Sequence, residues 1–303
     1  MKQRFIVMVL VIGEILVDRI GNQEKASLKL TAKRGGAARN VASDLADLKT
    51  ETSFYGVIGK DVLGSFLLSS LKDCSLYLKP YIFQRNDKET TIAFFLKDKG
   101  SFQFLRKDGA DYDFSLKERN TLPASKCSII HFGSLFVSDT DSRKRVLSYI
   151  RSRKKKGKRI SFDVNFRKDI FSPNQKYVSC YQERISLCDI VKFTKEEILM
   201  LSKKDDIESA REFYSRSAKL ILVTDGKEGS YAYYNGTMCF EKSTPVKPVD
   251  TIGCGDSFMA GCLSYLDGKD LFSLSEEDIS SRLKRGNECG RKTCLVEGAL
   301  HAY

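Results

Sequence analysis

Apolar runs alternate along this chain with stretches in which apolar positions recur at helical spacing. The runs at 5–12, 52–57, 128–132, 159–163, 189–193 and 219–223 read as strands. The periodic stretches near 36–48, 61–72, 139–155, 174–186 and 205–217 read as helices. Strand followed by helix, repeated, predicts a mostly parallel sheet covered on both faces. The rhythm changes near 229–242, where Tyr231-Ala232-Tyr233-Tyr234 and Met238-Cys239-Phe240 flank Asn235-Gly236. Asn-Gly between two strand-like runs predicts a hairpin. Helices dominate after it, and 275–293 is the last long one.

Two stretches break this pattern. Residues 14–33 and roughly 81–105 alternate apolar and polar positions with no helix between strands. Thr91–Leu96 and Ser101–Leu105 bracket a turn at 97–100. They predict a small separate sheet from two insertions, about 14–34 and 81–110, lying as a lid on a single α/β domain that spans 1–303. Phe94, Phe102 and Phe104 are expected to pack that sheet's own face.

Composition changes the picture in three places. The formal charge of +12 raises the question of nucleic acid, and the densest basic cluster is Arg151–Arg159. That cluster lies between a predicted helix end and a strand, with no interleaved aromatics, so it reads as a solvated surface with a general attraction for polyanions, nucleotides included. Nine cysteines at irregular spacing and only two histidines leave no zinc pattern, and free thiols in a reducing cytosol fit best. Lys2 and Arg4 before the apolar run 5–12 resemble a secretory start, but Gly13-Glu14 ends the run, Asp18 follows, and no small-x-small site appears. A buried first strand is the expectation, and no apolar stretch reaches the length of a membrane span.

The chemistry concentrates in Asp250-Thr251-Ile252-Gly253-Cys254-Gly255-Asp256-Ser257-Phe258, followed at once by apolar residues at helical spacing. Its glycines allow a tight turn, and the amides from Gly253 to Asp256 fall at a helix N-terminus, which favours an anion. Asp256 then sits where it can take a proton from an attacking hydroxyl, a combination suited to phosphoryl transfer to an alcohol. Read alone, the turn favours a helix-capping role for Asp256. Cys254 reads first as a small residue filling the turn and second as a redox thiol at a helix N-terminus.

The stretch resembles the C-terminal signature of the PfkB (ribokinase-like) carbohydrate kinases, Asp-Thr-x-Gly-Ala-Gly-Asp-x-Phe, with Cys254 in place of Ala. Further motifs follow in the family's order. Gly13-Glu14-Ile15-Leu16-Val17-Asp18 is similar to the opening of fructokinase-like members, and Gly35-Gly36-Ala37-Ala38-Arg39-Asn40 to the N-terminal signature. Arg39 is unusual beside that Asn and is expected to face solvent or the lid. Asp163-Val164-Asn165-Phe166-Arg167 resembles a fructokinase motif at a strand end, and Thr224–Ser230 a nucleotide loop. One departure stands out: Thr194 occupies the Asn position of the family's Asn-x-x-Glu, which also reads as a capping box with Glu197.

The resemblance implies a three-layer α/β/α domain with a mostly parallel central sheet and a small β-sheet lid. It implies ATP-dependent phosphorylation of a sugar primary hydroxyl, with D-fructose the first acceptor. A 2-keto-3-deoxygluconate or nucleoside kinase is the alternative, and a non-catalytic member that senses sugar or binds nucleic acid is the alternative outside enzymes. It makes Asp256 the base and Gly253, Cys254 and Gly255 the anion cradle. Asp18, Gly36, Asn40, Arg106, Asp163, Asn165 and Arg167 would hold the acceptor. Thr224, Gly226, Gly229, Gly253, Gly255 and Asn287 would hold the nucleotide, and Glu197 a metal through water. ATP and Mg²⁺ are the implied cofactors, with a monovalent cation such as K⁺ a further candidate. The implied partners are the sugar and ATP, in the cytoplasm, with no specific nucleic acid and no membrane; a homodimer through the lid stays open.

Overall fold

The first strand, β1 (Met8–Ile12), is apolar at every position, and its neighbours explain why. Val9 and Val11 point into one hydrophobic core, whereas Leu10 and Ile12 point into a second on the opposite face. A strand covered on both sides has no reason to alternate with polar residues. The computed structural model describes residues 8–24, 27–96, 101–115, 117–137, 140–167, 177–264 and 273–299. The expected strand residues 5–7, the turn at 97–100 and the helix start at 174–176 lie outside them.

The strands in chain order are β1, β2 (Leu16–Glu24), β3 (Ser27–Gly35), β4 (Glu51–Gly59), β5 (Leu78–Arg85), β6 (Ile92–Leu96) and β7 (Ser101–Leu105), then β8 (Ile129–Phe132), β9 (Arg159–Asp163), β10 (Ile190–Thr194), β11 (Leu220–Thr224), β12 (Gly229–Tyr234) and β13 (Thr237–Lys242). The helices are α1 (Ala37–Asp47), α2 (Val62–Ser69), α3 (Thr140–Lys155), α4 (Tyr177–Ile185), α5 (Lys195–Ser202), α6 (Ile207–Ser215), α7 (Cys254–Ser264) and α8 (Glu276–Thr293). Nine strands form the central sheet in the order β13-β12-β11-β10-β9-β8-β1-β4-β5, parallel except where β12 joins β11 and β13. One face is covered by α3, α4, α5 and α6 and the other by α1, α2, α7 and α8. The predicted hairpin is present, with Asn235 and Gly236 both at positive φ.

Strand order reverses beside β1, with β4 on one side and β8 on the other. Open α/β sheets bind ligands beyond the carboxyl ends of their strands at such a point. A second sheet of four strands, β3-β2-β6-β7, is contributed by the segments after β1 and after β5. Its boundary differs from the expectation at 81: residues 78–85 pair with β4 in the central sheet, so only β6 and β7 of that segment enter the small one. As the outermost strand, β5 is only partly covered, with Leu78 and Ile82 against one core and Tyr81 and Phe83 against the other, and it tolerates Pro80, which gives it the mixed pattern of a small-sheet strand. No helix among the described residues is long and apolar enough to cross a membrane.

Candidate active site

The turn into α7 is held from both sides. Asp250 accepts the Ile252 N–H at 3.0 Å and the Gly298 N–H at 2.9 Å, tying the turn to the segment after α8. Gly253 has φ 80°. A Cβ there would sit 2.5 Å from the Ala299 methyl, so only glycine fits. The first amides of α7 have no helical carbonyl to bond, and they open toward a cavity of about 390 Å³. Gly36, Asn40, Gly253, Gly255 and Asp256 line that cavity, with Asp18 and Leu16 from β2.

Asp256 is buried and its Oδ2 accepts the Asn40 side-chain N–H at 2.9 Å. The contact joins the first turns of α1 and α7. Burial pushes the Asp256 carboxyl up to about 7, helped by the charge of Asp163 and opposed by Asn40, Lys192 and Arg167. A carboxyl near neutrality is suited to taking a proton. Asp18 is likewise raised to about 7 by burial, with Arg167 and then Arg39 opposing. Gly35, on the adjacent strand, leaves room for the Asp18 carboxylate that a Cβ would fill.

Lys192 is the residue that sequence reasoning missed. It lies inside β10, directly in register with Asp163 of β9, and its Nζ meets Asp163 Oδ2 at 3.1 Å. Burial works to strip its proton, but Asp163, Glu197 and Asp256 outweigh it and hold its pKa above the ordinary value. Burial lifts Asp163 to about 6 against the pull of Lys192, so both partners are charged at neutral pH. A Cβ on Gly255 would fall 2.8 Å from Lys192 Nζ. The ammonium therefore rests against the first turn of α7, and it lines the cavity beside Asp256.

Asn165 and Arg167 also line the cavity, Asn165 with φ 37° just beyond β9. Arg167 lies over the Phe102 ring at 5.3 Å, linking the central sheet to the small one. Asp163 itself stands behind Lys192 and is not a lining residue, contrary to the acceptor role expected of it. Arg106 is not a lining residue either. Asp111 holds its guanidinium at 2.6 Å, the Leu135 carbonyl accepts at 2.7 Å, and Tyr112 packs beneath it. Arg39 is buried rather than turned to solvent.

The aromatic residues of the small sheet differ from expectation too. Phe95, Phe102 and Phe104 line the cavity, instead of packing only on one another. Register explains it: Phe95 pairs with Phe102, and Ala93 with Phe104, so these share one face, whereas Phe94 pairs with Gln103 on the other. Glu197 lines the cavity as well and completes a capping box with Thr194. Its two oxygens accept the Thr194 N–H at 2.8 Å and the Phe166 N–H at 2.6 Å. Thr194 thus replaces Asn without disturbing the turn.

Thr224, Gly226, Gly229 and Asn287 lie apart from the cavity, along the β11–β13 edge. Thr224 ends β11, Gly226 in the following turn and Gly229 at the start of β12 have positive φ, and Asn287 of α8 donates to the Glu241 carbonyl of β13 at 3.0 Å.

The profile of the pfkB family carbohydrate kinases matches residues 7–302. The chain belongs to that family. It is 28% identical over 295 residues to a fructokinase of Vibrio alginolyticus, covering 96% of this chain and 94% of the relative. Among solved structures it is similar to a fructokinase from Xylella fastidiosa with bound ATP, at TM-score 0.88, 25% identity, 98% of this chain and 94% of the other. It is similar also to a fructokinase from Vibrio cholerae O395 in fructose-, ADP- and calcium-bound form, at TM-score 0.86, 26% identity, 98% and 96% coverage. The protein is an ATP-dependent pfkB sugar kinase with the ribokinase-like fold.

Proposed function

We propose that this pfkB kinase transfers the γ-phosphoryl group of ATP to the primary hydroxyl of D-fructose, with Asp256 as the base. The observation that carries the chemistry is a buried carboxyl, raised to about 7, at the N-terminus of α7 on the wall of a polar cavity. Asn40 bonds Oδ2 and fixes the carboxylate, leaving Oδ1 for the hydroxyl proton. As the sugar hydroxyl oxygen bonds to phosphorus, the bond from phosphorus to the ADP oxygen breaks and the hydroxyl proton passes to Asp256. The amides of Gly253, Cys254, Gly255 and Asp256 stabilise charge on the transferring group, each such donor contributing about 3–4 kcal/mol in known oxyanion holes. The Lys192 ammonium adds a fixed positive charge beside them. Asp18 and Asn40 bond acceptor hydroxyls, with Gly36 allowing close approach. The Thr224–Gly229 turn and Asn287 flank the nucleotide, and the small sheet serves as a lid that excludes water.

A divalent ion fits this wall on limited terms. Among the described residues no three His, Cys, Asp or Glu side chains cluster as ligands. Glu197 is an acid on the wall beside Lys192, so an ion held there would keep water and phosphate oxygens, which suits Mg²⁺. Mg²⁺ supplies charge neutralisation on the phosphates, and a monovalent cation such as K⁺ is a further cofactor of this reading.

The fructokinase relatives and the short polar groups facing the cavity support fructose as the acceptor. Initial rates with ATP across fructose, ribose, 2-keto-3-deoxygluconate and adenosine test it. Fructose is expected to lead in kcat/KM by on the order of 10²-fold, because hydroxyl-bonding sites reject acceptors that leave their groups unpaired. A nucleoside acceptor is the second reading, favoured by the shelf of Phe95, Phe102 and Phe104. A preference for adenosine would select it and leave the phosphoryl chemistry in place.

The raised Asp256 carboxyl sets the pH profile. Below about pH 7 it carries a proton and cannot accept another, so activity is lost as pH falls. Measured kcat/KM for the sugar is expected to drop about tenfold per pH unit below 7, since this ratio reports the free enzyme. A profile flat to about pH 5 would show that the rate-limiting base titrates as an ordinary carboxylate, not as one raised by burial.

A further inference from the structure

We propose that Cys254 and Cys294 form a dithiol modification site that reacts with low-molecular-weight disulfides and thereby switches the kinase off. The switching rests on the reading of Gly253–Asp256 as the phosphoryl cradle. The two sulfurs lie 2.8 Å apart although their residues are forty positions apart in sequence, one opening α7 and the other capping α8. Both side chains are half-buried, within reach of solvent. By contrast, Cys127, Cys188, Cys262 and Cys289 are buried. Nothing in the anion cradle requires a thiol at 254, since the cradle is made by backbone amides. A second thiol placed against the first gives that position a chemistry of its own.

The pair is polarised. Cys254 hydrogen-bonds Cys294 and lowers its thiol to about 7, against the opposing effects of burial and Asp250, while the same contact raises Cys254. Cys294 is therefore the nucleophile, because the thiolate is the reactive form. Its sulfur attacks a small disulfide R–S–S–R, breaking that S–S bond and releasing one RS⁻ to leave a mixed disulfide. Cys254, losing its proton, then attacks the Cys294 sulfur and expels the second RS⁻. The protein thiols lose two electrons and two protons, and the small disulfide becomes two R–SH. A dithiol reductant reverses both steps.

The new bond would report directly on the cradle. An S–S bond is about 2.05 Å long, so the sulfurs must close by somewhat under 1 Å. Little around them can yield. Gly253 is pressed against Ala299, and Asp250 clamps Ile252 to Gly298, so the turn and the segment after α8 are already wedged together. The movement falls on Cys254, which lies between the cavity-lining Gly253 and Gly255. A misplacement of about 1 Å in a catalytic constellation lowers the rate about 10²-fold.

Oxidised glutathione is the probe. Purified reduced kinase is treated with it, and sugar phosphorylation and the non-reduced peptide map are followed on the same samples. A Cys254–Cys294 cross-linked peptide is expected to accumulate in step with a loss of activity of about 10²-fold, both reversed by dithiothreitol. Cys294→Ser should match the reduced wild type in activity and keep it under the same treatment. Cys254→Ala should likewise resist further loss, which covers the case of a poorly folded serine variant. The proposal is overturned if no cross-linked peptide forms, if it forms with activity unchanged, or if Cys294→Ser is inactivated as fast as wild type. Should the reduced protein phosphorylate no sugar at all, the kinase reading fails, and the peptide map still decides for or against the dithiol.

Discussion

Asp256→Asn is expected to lower kcat by about 10²–10⁴-fold, the usual scale for a lost general base, while the protein stays folded. The structure separates this outcome from a capping role. Asn keeps the size of Asp and presents a carbonyl that can accept the Asn40 N–H now bound at 2.9 Å. It also removes a carboxyl whose burial disfavours ionisation, the main cause of its raised pKa. The melting temperature of Asp256→Asn should therefore equal or exceed that of wild type, and ATP should bind at least as well once a negative charge is gone from the cradle. A residue that only capped α7 would behave the opposite way, with normal turnover and lower stability. Near-normal kcat in a folded Asp256→Asn protein would remove Asp256 from the chemistry.

Lys192→Met is expected to affect both stability and rate, and a second substitution divides the two. The single change leaves Asp163 buried without its 3.1 Å partner, so the carboxyl must hold an uncompensated charge or take up a proton. Breaking a buried pair from one side costs about 3–5 kcal/mol, measurable by denaturant unfolding. It also removes a positive charge beside Gly255 and Asp256, and loss of one such electrostatic donor lowers kcat about 10²–10³-fold. Lys192→Met combined with Asp163→Asn removes both charges, so most of the stability should return. Turnover should not return with it. Recovery of kcat in the double variant would show that Lys192 serves only as the counter-ion of Asp163.

The sequence made some of this legible and hid the rest for identifiable reasons. Long apolar runs such as 8–12 and 220–224 declare themselves because strands buried on both faces need no polar positions. The turn at 253–256 was readable because glycine spacing and a following helix are local features. Lys192 was not, since its meaning lies in its register with Asp163, 29 residues away and on another strand. A lysine inside an otherwise apolar strand was the available signal, as it demands a carboxylate on a neighbour. The small sheet was found, but which of its faces meets the cavity depends on the pairing of Phe95 with Phe102, and a one-residue slip exchanges the faces. Arg106 shows the limit of motif reading: its guanidinium answers to Asp111 and the Leu135 carbonyl, contacts that no spacing in the sequence announces.

The cavity is walled by two bodies with different duties. Asp256, Asn40, Lys192 and the α7 amides belong to the central sheet and its helices, whereas Asp18, Phe95, Phe102 and Phe104 ride on the small sheet. Under the proposed roles, substitutions on β6 and β7 reshape the cavity without altering the residues assigned to phosphoryl transfer. New substrates can therefore be acquired by rewriting a few alternate strand positions, while the machinery for phosphoryl transfer is inherited intact.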